Sequence, residues 1–314
     1  MSAKTGHRHT GICSVKSVLA MGISLLALGV VFSKGNSSFA AVIIQPKANS
    51  ALLAASECLD HLPPWMQSPE SLEKAFVVGS QGLTDKTTAH KYQYMYHRYL
   101  GPLILRTCLS ANHTRPLRML EIGLGCSPRG GMINGTPGGS ALAWRYMFGD
   151  RLDLHTMEYD KECALKWYET HRDISTIHTG DASSKEDLDR VYHEAGSQPF
   201  DIIVDDASHL NEHQIKTLEL MIGRVAPGGV YVIEDIMSSC LNWVANMGTK
   251  TTGETTGGTE GCMVTASGSP TIYGKIVEWQ KQLVLNQQPF PGVNNVDVCL
   301  EAAVLTKQQM QQFL

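Results

Sequence analysis

Residues 117–125 read Leu117-Arg118-Met119-Leu120-Glu121-Ile122-Gly123-Leu124-Gly125, a short apolar run that ends on two closely spaced glycines. The run predicts a strand over 117–122. The glycines predict a tight turn in which the backbone can approach a ligand, because glycine has no Cβ to stand in the way. A dinucleotide fingerprint would carry Gly or Ala at position 128. The residue there is Pro128, so NAD and FAD binding are disfavoured.

Downstream of this turn the pattern alternates. Strands are predicted over 152–157, 176–178, 200–204 and 230–233, and helices over 140–148, 161–171, 185–195 and 212–225. Pro227-Gly228-Gly229 is read as the turn that opens the strand at 230. Strands and helices alternating at this spacing imply an α/β fold with a doubly wound, mostly parallel sheet. A helix over 272–285 follows, and the apolar run 296–305 supplies the last one or two strands. The Gly-, Thr- and Ser-rich stretch 248–270 reads as a flexible loop. Upstream, 57–108 reads as a helical cap. Its segment 88–105 carries Tyr92, Tyr94, Tyr96 and Tyr99, and Pro102 within it predicts two short helices rather than one long one. The expected domain is therefore 57–314, with its core at 117–236, preceded by a tail and linker over 1–50.

Within that tail, Lys4, Arg8 and Lys16 precede an apolar run at 18–32, and Lys34 closes it. The run is short for a full membrane crossing. It reads either as the core of a signal peptide, with small residues at Ser37, Ser38, Ala40 and Ala41 offering a cleavage region, or as an uncleaved anchor. The basic flank places the remainder in the lumen of the secretory pathway. The alternative is a core helix of a cytoplasmic protein. Sequons at Asn36, Asn112 and Asn134 are compatible with a glycosylated lumenal domain. The chain carries 26 Lys+Arg against 30 Asp+Glu, so a nucleic-acid partner is a poor default. None of the eight cysteines forms a CxxC pair, which leaves zinc-ribbon and thioredoxin-like readings unsupported. Most read as buried thiols, with a few able to pair in an oxidising compartment.

The residues that carry chemistry cluster at predicted strand ends. Asp205-Asp206-Ala207-Ser208-His209 follows the fourth strand, and Glu234-Asp235 follows the fifth. Neighbouring parallel strands would bring Asp206, Glu234 and Asp235 together at the carboxyl edge of the sheet, where open α/β sheets bind ligands. Three clustered carboxylates repel one another unless a cation or protons neutralise them, and hard oxygen donors suit Mg²⁺. His209 would then be placed as a general base. His209 and His213 lie four apart, but no HExxH pattern accompanies them, so a zinc pair is disfavoured.

The acid-x-Gly-x-Gly form at Glu121, Gly123 and Gly125 resembles the first motif of class I S-adenosylmethionine-dependent methyltransferases. More specifically, residues 83–236 resemble the metal-dependent macrocin- and mycinamicin-type O-methyltransferases and their cephalosporin hydroxylase relatives. The residues that carry this are Thr84-Asp85-Lys86 with His90 and Tyr92, Glu121 and Gly123, Gly138-Gly139-Ser140 with Trp144, the Asp205–His209 motif, and Glu234-Asp235. The resemblance implies a seven-stranded, Rossmann-like methyltransferase sheet. It implies S-adenosyl-L-methionine bound by Glu121, Gly123, Gly125, Ser140, Glu158, Asp181 and Asp205, with Glu158 accepting the ribose hydroxyls and Asp181 the adenine amino group. It implies Mg²⁺ on Asp206, Glu234 and Asp235, with His209 deprotonating a hydroxylated small molecule or glycan. Ala207 departs from the usual glycine of that motif, and Cys126–Pro137 is an insertion beside the cofactor. Two other readings use the same fold: a cofactor-binding module without turnover, and a metal-dependent oxidoreductase or hydrolase.

Overall fold

The structure, a computed structural model, describes residues 62–109, 115–126, 136–240, 262–265 and 268–309. The apolar run at 18–32, the three sequons and most of the 248–270 loop lie outside these residues. Within them, no helix is long and apolar enough to cross a membrane.

Seven strands form one sheet in the order β3-β2-β1-β4-β5-β7-β6. The strands are β1 (Leu117–Ile122), β2 (Leu152–Glu158), β3 (Thr176–Thr179), β4 (Phe200–Asp205), β5 (Val225–Ile233), β6 (Val293–Cys299) and β7 (Ala302–Lys307). The first five pair in parallel, and β7 runs antiparallel to both β5 and β6. This is the α/β methyltransferase arrangement, mostly parallel with an antiparallel hairpin at one edge. The order reverses at β1 and β4, so their carboxyl ends open a crevice where no helix covers the sheet.

Successive side chains on a strand face opposite ways. Met119 and Leu120 thus enter two different apolar cores, one on each face of the sheet. One core takes α1 (Pro69–Gly79), α2 (Gln93–Leu109) and α3 (Gly139–Phe148) through Phe76, Tyr96 and Trp144, together with Trp167 of α4 (Lys161–Thr170). The other takes α5 (Lys185–Glu194), α6 (Asn211–Met221) and α7 (Ile272–Val284) through Leu188, Leu218 and Ile276. Burial on both faces explains why these strands read as continuous apolar runs.

Two sequence expectations are corrected. The segment around Pro102 is not two short helices: α2 runs unbroken, with Pro102 inside it. A mid-helix proline removes one backbone hydrogen bond and costs about 3 kcal/mol, a loss opposed here by the burial of Met95, Tyr96, Leu100, Leu103 and Ile104. Similarly, Pro227-Gly228-Gly229 does not precede β5 but lies within it. Phe200 pairs with Val225 and Ile202 with Val230, so the extra residues form a bulge. The run at 296–305 resolves into parts of two strands, β6 and β7.

Four of the cysteines pair among the described residues. Cys126 bonds Cys163, and Cys240 bonds Cys262, while Cys299 keeps a thiol. The first bond ties the turn after β1 to α4, and the second ties the segment after Asp235 to the one that leads into α7.

Candidate active site

A pocket opens at the carboxyl ends of β1, β4 and β5. One wall is the Gly123–Gly125 turn with Thr136–Ser140. The other is formed by Leu83–Lys86, His90 and Tyr92, with Asp206, Glu234 and Asp235 at its end. Gly123 is required here. Its φ is +111°, and a Cβ would lie 2.0 Å from the Asp206 carbonyl oxygen. At Gly139, the first residue of α3, a Cβ would lie 2.4 Å from the Leu83 carbonyl oxygen. That close approach lets the 83–86 segment cross the start of α3 and deliver Lys86 to the centre of the site.

The Lys86 ammonium is buried and bonds both Asp206 Oδ2 and Glu234 Oε2, with Glu121 Oε1 3.9 Å away. Burial alone would lower its pKa, but Asp206, Glu234 and Glu121 outweigh it and hold the amine charged. Glu234 gives its other oxygen to the Tyr96 hydroxyl. Burial raises the Glu234 carboxyl, and Lys86 pulls it back. Asp235 accepts the Tyr92 hydroxyl on Oδ1 at 2.7 Å. Tyr92, just before α2, and Tyr96 in its first turn stand four residues apart, so one turn of backbone holds both members of the Glu234-Asp235 pair.

His209 Nε2 lies 3.4 Å from Asp235 Oδ2 and 3.7 Å from Asp206 Oδ1. The ligating atoms of Asp206, His209 and Asp235 all fall within 4.8 Å of one another. His209 and Asp235 are both left-handed, with φ of +55° and +54°. Such non-glycine residues cost about 1–3 kcal/mol each, and they persist where the surroundings over-determine them, often at functional sites. A second grouping, His90 with Asp235 and Glu301, adjoins the first. Asp85 holds one His90 nitrogen and Glu301 accepts from the other at 2.6 Å. Against the cost of burial, Asp85, Glu301 and Asp235 push His90 up to about 10.

The expected cofactor residues divide. Gly123, Gly125 and Ser140 line the pocket. Glu121 is fully buried beneath it and accepts the Trp144 indole N–H at 3.2 Å. Burial raises its carboxyl, while Lys86, Ser140 and Trp144 oppose the rise. Glu158 ends β2 as expected, and its Oε2 accepts the N–H groups of Leu124 and Cys126 at 2.9 and 3.3 Å, so it braces the glycine turn. Asp181 caps its own turn by accepting from Ser183. Asp205 is placed away from the pocket. The last residue of β4, it faces the opposite side from Asp206, and there Tyr231 donates to it at 3.2 Å and burial pushes it up to about 7.

Of the acids expected to gather, Asp206 and Asp235 stand close to His209, whereas Glu234 lies between Lys86 and Tyr96. The sequence reading assigned no role to Lys86, Tyr96 or Glu301. The tyrosines at i and i+4 were visible, but helical spacing makes such a pair indistinguishable from core residues.

No family model matches the chain. A stretch of 127 residues is 36% identical to mycinamicin VI 2''-O-methyltransferase of Micromonospora griseorubida, covering 39% of this chain and 28% of that protein. A stretch of 125 residues is 34% identical to demethylmacrocin O-methyltransferase of Streptomyces fradiae, again covering 39% and 28%. The chain thus matches less than a third of the length of these relatives. Among solved structures, the MycE methyltransferase of the mycinamycin biosynthetic pathway, in complex with Mg and SAH, has a TM-score of 0.55 at 20% identity over 90% of this chain and 67% of that one. The resemblance read from the sequence is therefore recovered in these relatives, and the shared fold in their structure.

Proposed function

We propose that this chain is an S-adenosylmethionine-dependent O-methyltransferase whose site is assisted by Mg²⁺ and takes a hydroxylated small molecule or sugar. The observation that carries this reading is one pocket with a glycine turn on one wall and Asp206 and Asp235 at its end, the two acids grouped with His209 within 4.8 Å. The residues fit both groups. The Gly123 turn has no side chain to block a cofactor, and the carboxylates of Asp206 and Asp235 offer hard oxygens with Glu234 beside them. The relatives are O-methyltransferases by name, which supports the same chemistry.

When bound, S-adenosylmethionine would supply an electrophilic methyl group and Mg²⁺ would lower the pKa of the acceptor hydroxyl. His209 Nε2 would take the proton of the acceptor hydroxyl during methyl transfer. Asp235 and Asp206, 3.4 and 3.7 Å from Nε2, stabilise the charge the imidazole gains. Tyr92 and Tyr96 fix the acids so that little reorganisation is needed during transfer.

The basic flank before the apolar run at 18–32 supports delivery of the enzyme to the secretory pathway, anchored or secreted, with its catalytic part in the lumen. Two disulfides suit an oxidising compartment. The deciding experiment is a screen of hydroxylated acceptors with radiolabelled methyl donor, with and without Mg²⁺. Label transfer to an acceptor oxygen supports the reading. Failure to bind S-adenosylmethionine in calorimetry would remove it.

A further inference from the structure

We propose that the Cys126–Cys163 disulfide is a redox latch on the cofactor site: it closes a ring of contacts around Glu158, and opening it lowers affinity for the cofactor. This rests on the function proposed above, with Glu158 taking the cofactor ribose. Glu158 is buried at the end of β2. Its Oε2 accepts the N–H groups of Leu124 and Cys126, and its Oε1 accepts the Asp160 N–H at 2.9 Å. Asp160 Oδ1 in turn accepts the Cys163 N–H at 3.0 Å and caps α4. The disulfide joins Cys163 back to Cys126 and completes the ring. A carboxylate has about four acceptor sites. Three backbone N–H groups therefore fix its direction and leave room for a ribose hydroxyl.

The latch sits at a break in the pocket wall. Leu124 and Gly125 line the pocket just before Cys126, and Gly138 lines it where the wall resumes. Gly138 donates to the Leu124 carbonyl at 2.7 Å. Its φ is +84°, and a Cβ there would lie 2.4 Å from Trp167 Nε1. Trp167 stands four residues after Cys163, on the same face of α4. This face of α4 holds both ends of the 126–138 segment, one through the disulfide and one through the indole. The disulfide is the link that chemistry can open, because both cysteines are half-buried and within reach of a small dithiol. Thiolate attack passes through a mixed disulfide. The dithiol gives up two electrons and two protons and leaves as its own disulfide, and Cys126 and Cys163 become thiols. The Cys126 N–H then meets Glu158 through a 3.3 Å hydrogen bond with no covalent tie to α4 behind it.

The test is calorimetric binding of S-adenosylhomocysteine to the full chain, with melting temperature as the folding control. Dithiothreitol should weaken binding to the wild type by about tenfold or more, the loss expected when a charged hydrogen bond is misdirected. Cys126→Ala/Cys163→Ala should show the same loss without reductant. Dithiothreitol should add nothing further to it, which sets the Cys240–Cys262 bond apart. In a Glu158→Ala background, removing the cysteine pair should cost less than about threefold, because the latch acts through that carboxylate. Unchanged affinity in the folded cysteine variant overturns the proposal, as does a loss that adds in full to that of Glu158→Ala. If the cysteine variant does not fold, stepwise reduction of the wild type decides, with thiols mapped by alkylation of quenched samples. Affinity must fall as Cys163 becomes reduced in the folded chain, and full affinity with Cys163 reduced overturns the latch. Failure of the oxidised wild type to bind S-adenosylhomocysteine removes the proposed function as well, which separates the two failures.

Discussion

Tyr92 and Asp235 clasp each other twice. The tyrosine hydroxyl donates to Asp235 Oδ1 at 2.7 Å, and its oxygen accepts the Asp235 backbone N–H at 3.0 Å. The two bonds hold a left-handed, non-glycine residue at the end of the pocket. Tyr92→Phe removes both and leaves a buried N–H and a carboxylate oxygen short of a partner. The loss should be about 1–3 kcal/mol of stability. Denaturant melts check this. Weaker Mn²⁺ binding in the same variant would show that the clasp also aims the carboxylate.

Glu158 braces the glycine turn through Leu124 and Cys126, and on the proposed function it also takes the cofactor ribose. Glu158→Ala should lose roughly tenfold to a hundredfold in S-adenosylmethionine affinity, as hydrogen bonds to a charged group contribute about 1.5–3 kcal/mol. Calorimetry on the folded variant measures it. Wild-type affinity would leave Glu158 a bracing residue alone.

His209 Nε2 stands 3.7 Å from Asp206 and 3.4 Å from Asp235. His209→Ala should reduce turnover by roughly 10²–10⁴-fold, the range of general-base catalysis, with cofactor binding preserved. Excess chelator should likewise slow turnover of the wild-type enzyme. Full activity in chelator would exclude the ion, and wild-type turnover in His209→Ala would exclude the base.

Away from the pocket, His155 and His178 share a hydrogen bond of 3.0 Å, with Asp153 and Arg118 at one end and Glu194 at the other. Burial holds His155 below its ordinary value, against the pull of Asp153. The folded protein therefore binds this proton less readily than the unfolded chain. Stability from this site is complete above the unfolded pKa of about 6.5 and is lost as pH falls through the lower folded value. His155→Gln should flatten the fall in melting temperature on the acid side of pH 6.5. An unchanged pH profile would assign that fall to other groups.

The Cys126–Cys163 bond joins the glycine turn to α4, the two segments on either side of Glu158. Mild reduction should weaken cofactor binding, and Cys163→Ser should reproduce the effect in the absence of reductant. Protease protection and endoglycosidase treatment of isolated membranes test the proposed lumenal location. An unglycosylated, protease-sensitive protein would contradict it.

The alternation of strands and helices, the glycine turn, and the acids at the ends of β4 and β5 were legible in the sequence because each is a local property. Apolar runs report which backbone is buried, and glycine reports where no Cβ fits. The same local rules misread Pro102 and Gly228, where packing outweighed propensity. Tertiary structure decided which acid meets which partner. Lys86 is 120 residues from Asp206, and Tyr92 is 143 residues from Asp235. Their meeting depends on a loop crossing Gly139 and on one turn of α2 packing over β5. Pattern along a chain shows where a carboxylate stands, but a charge buried at a distance in sequence is paired only once the sheet has brought the strand ends together.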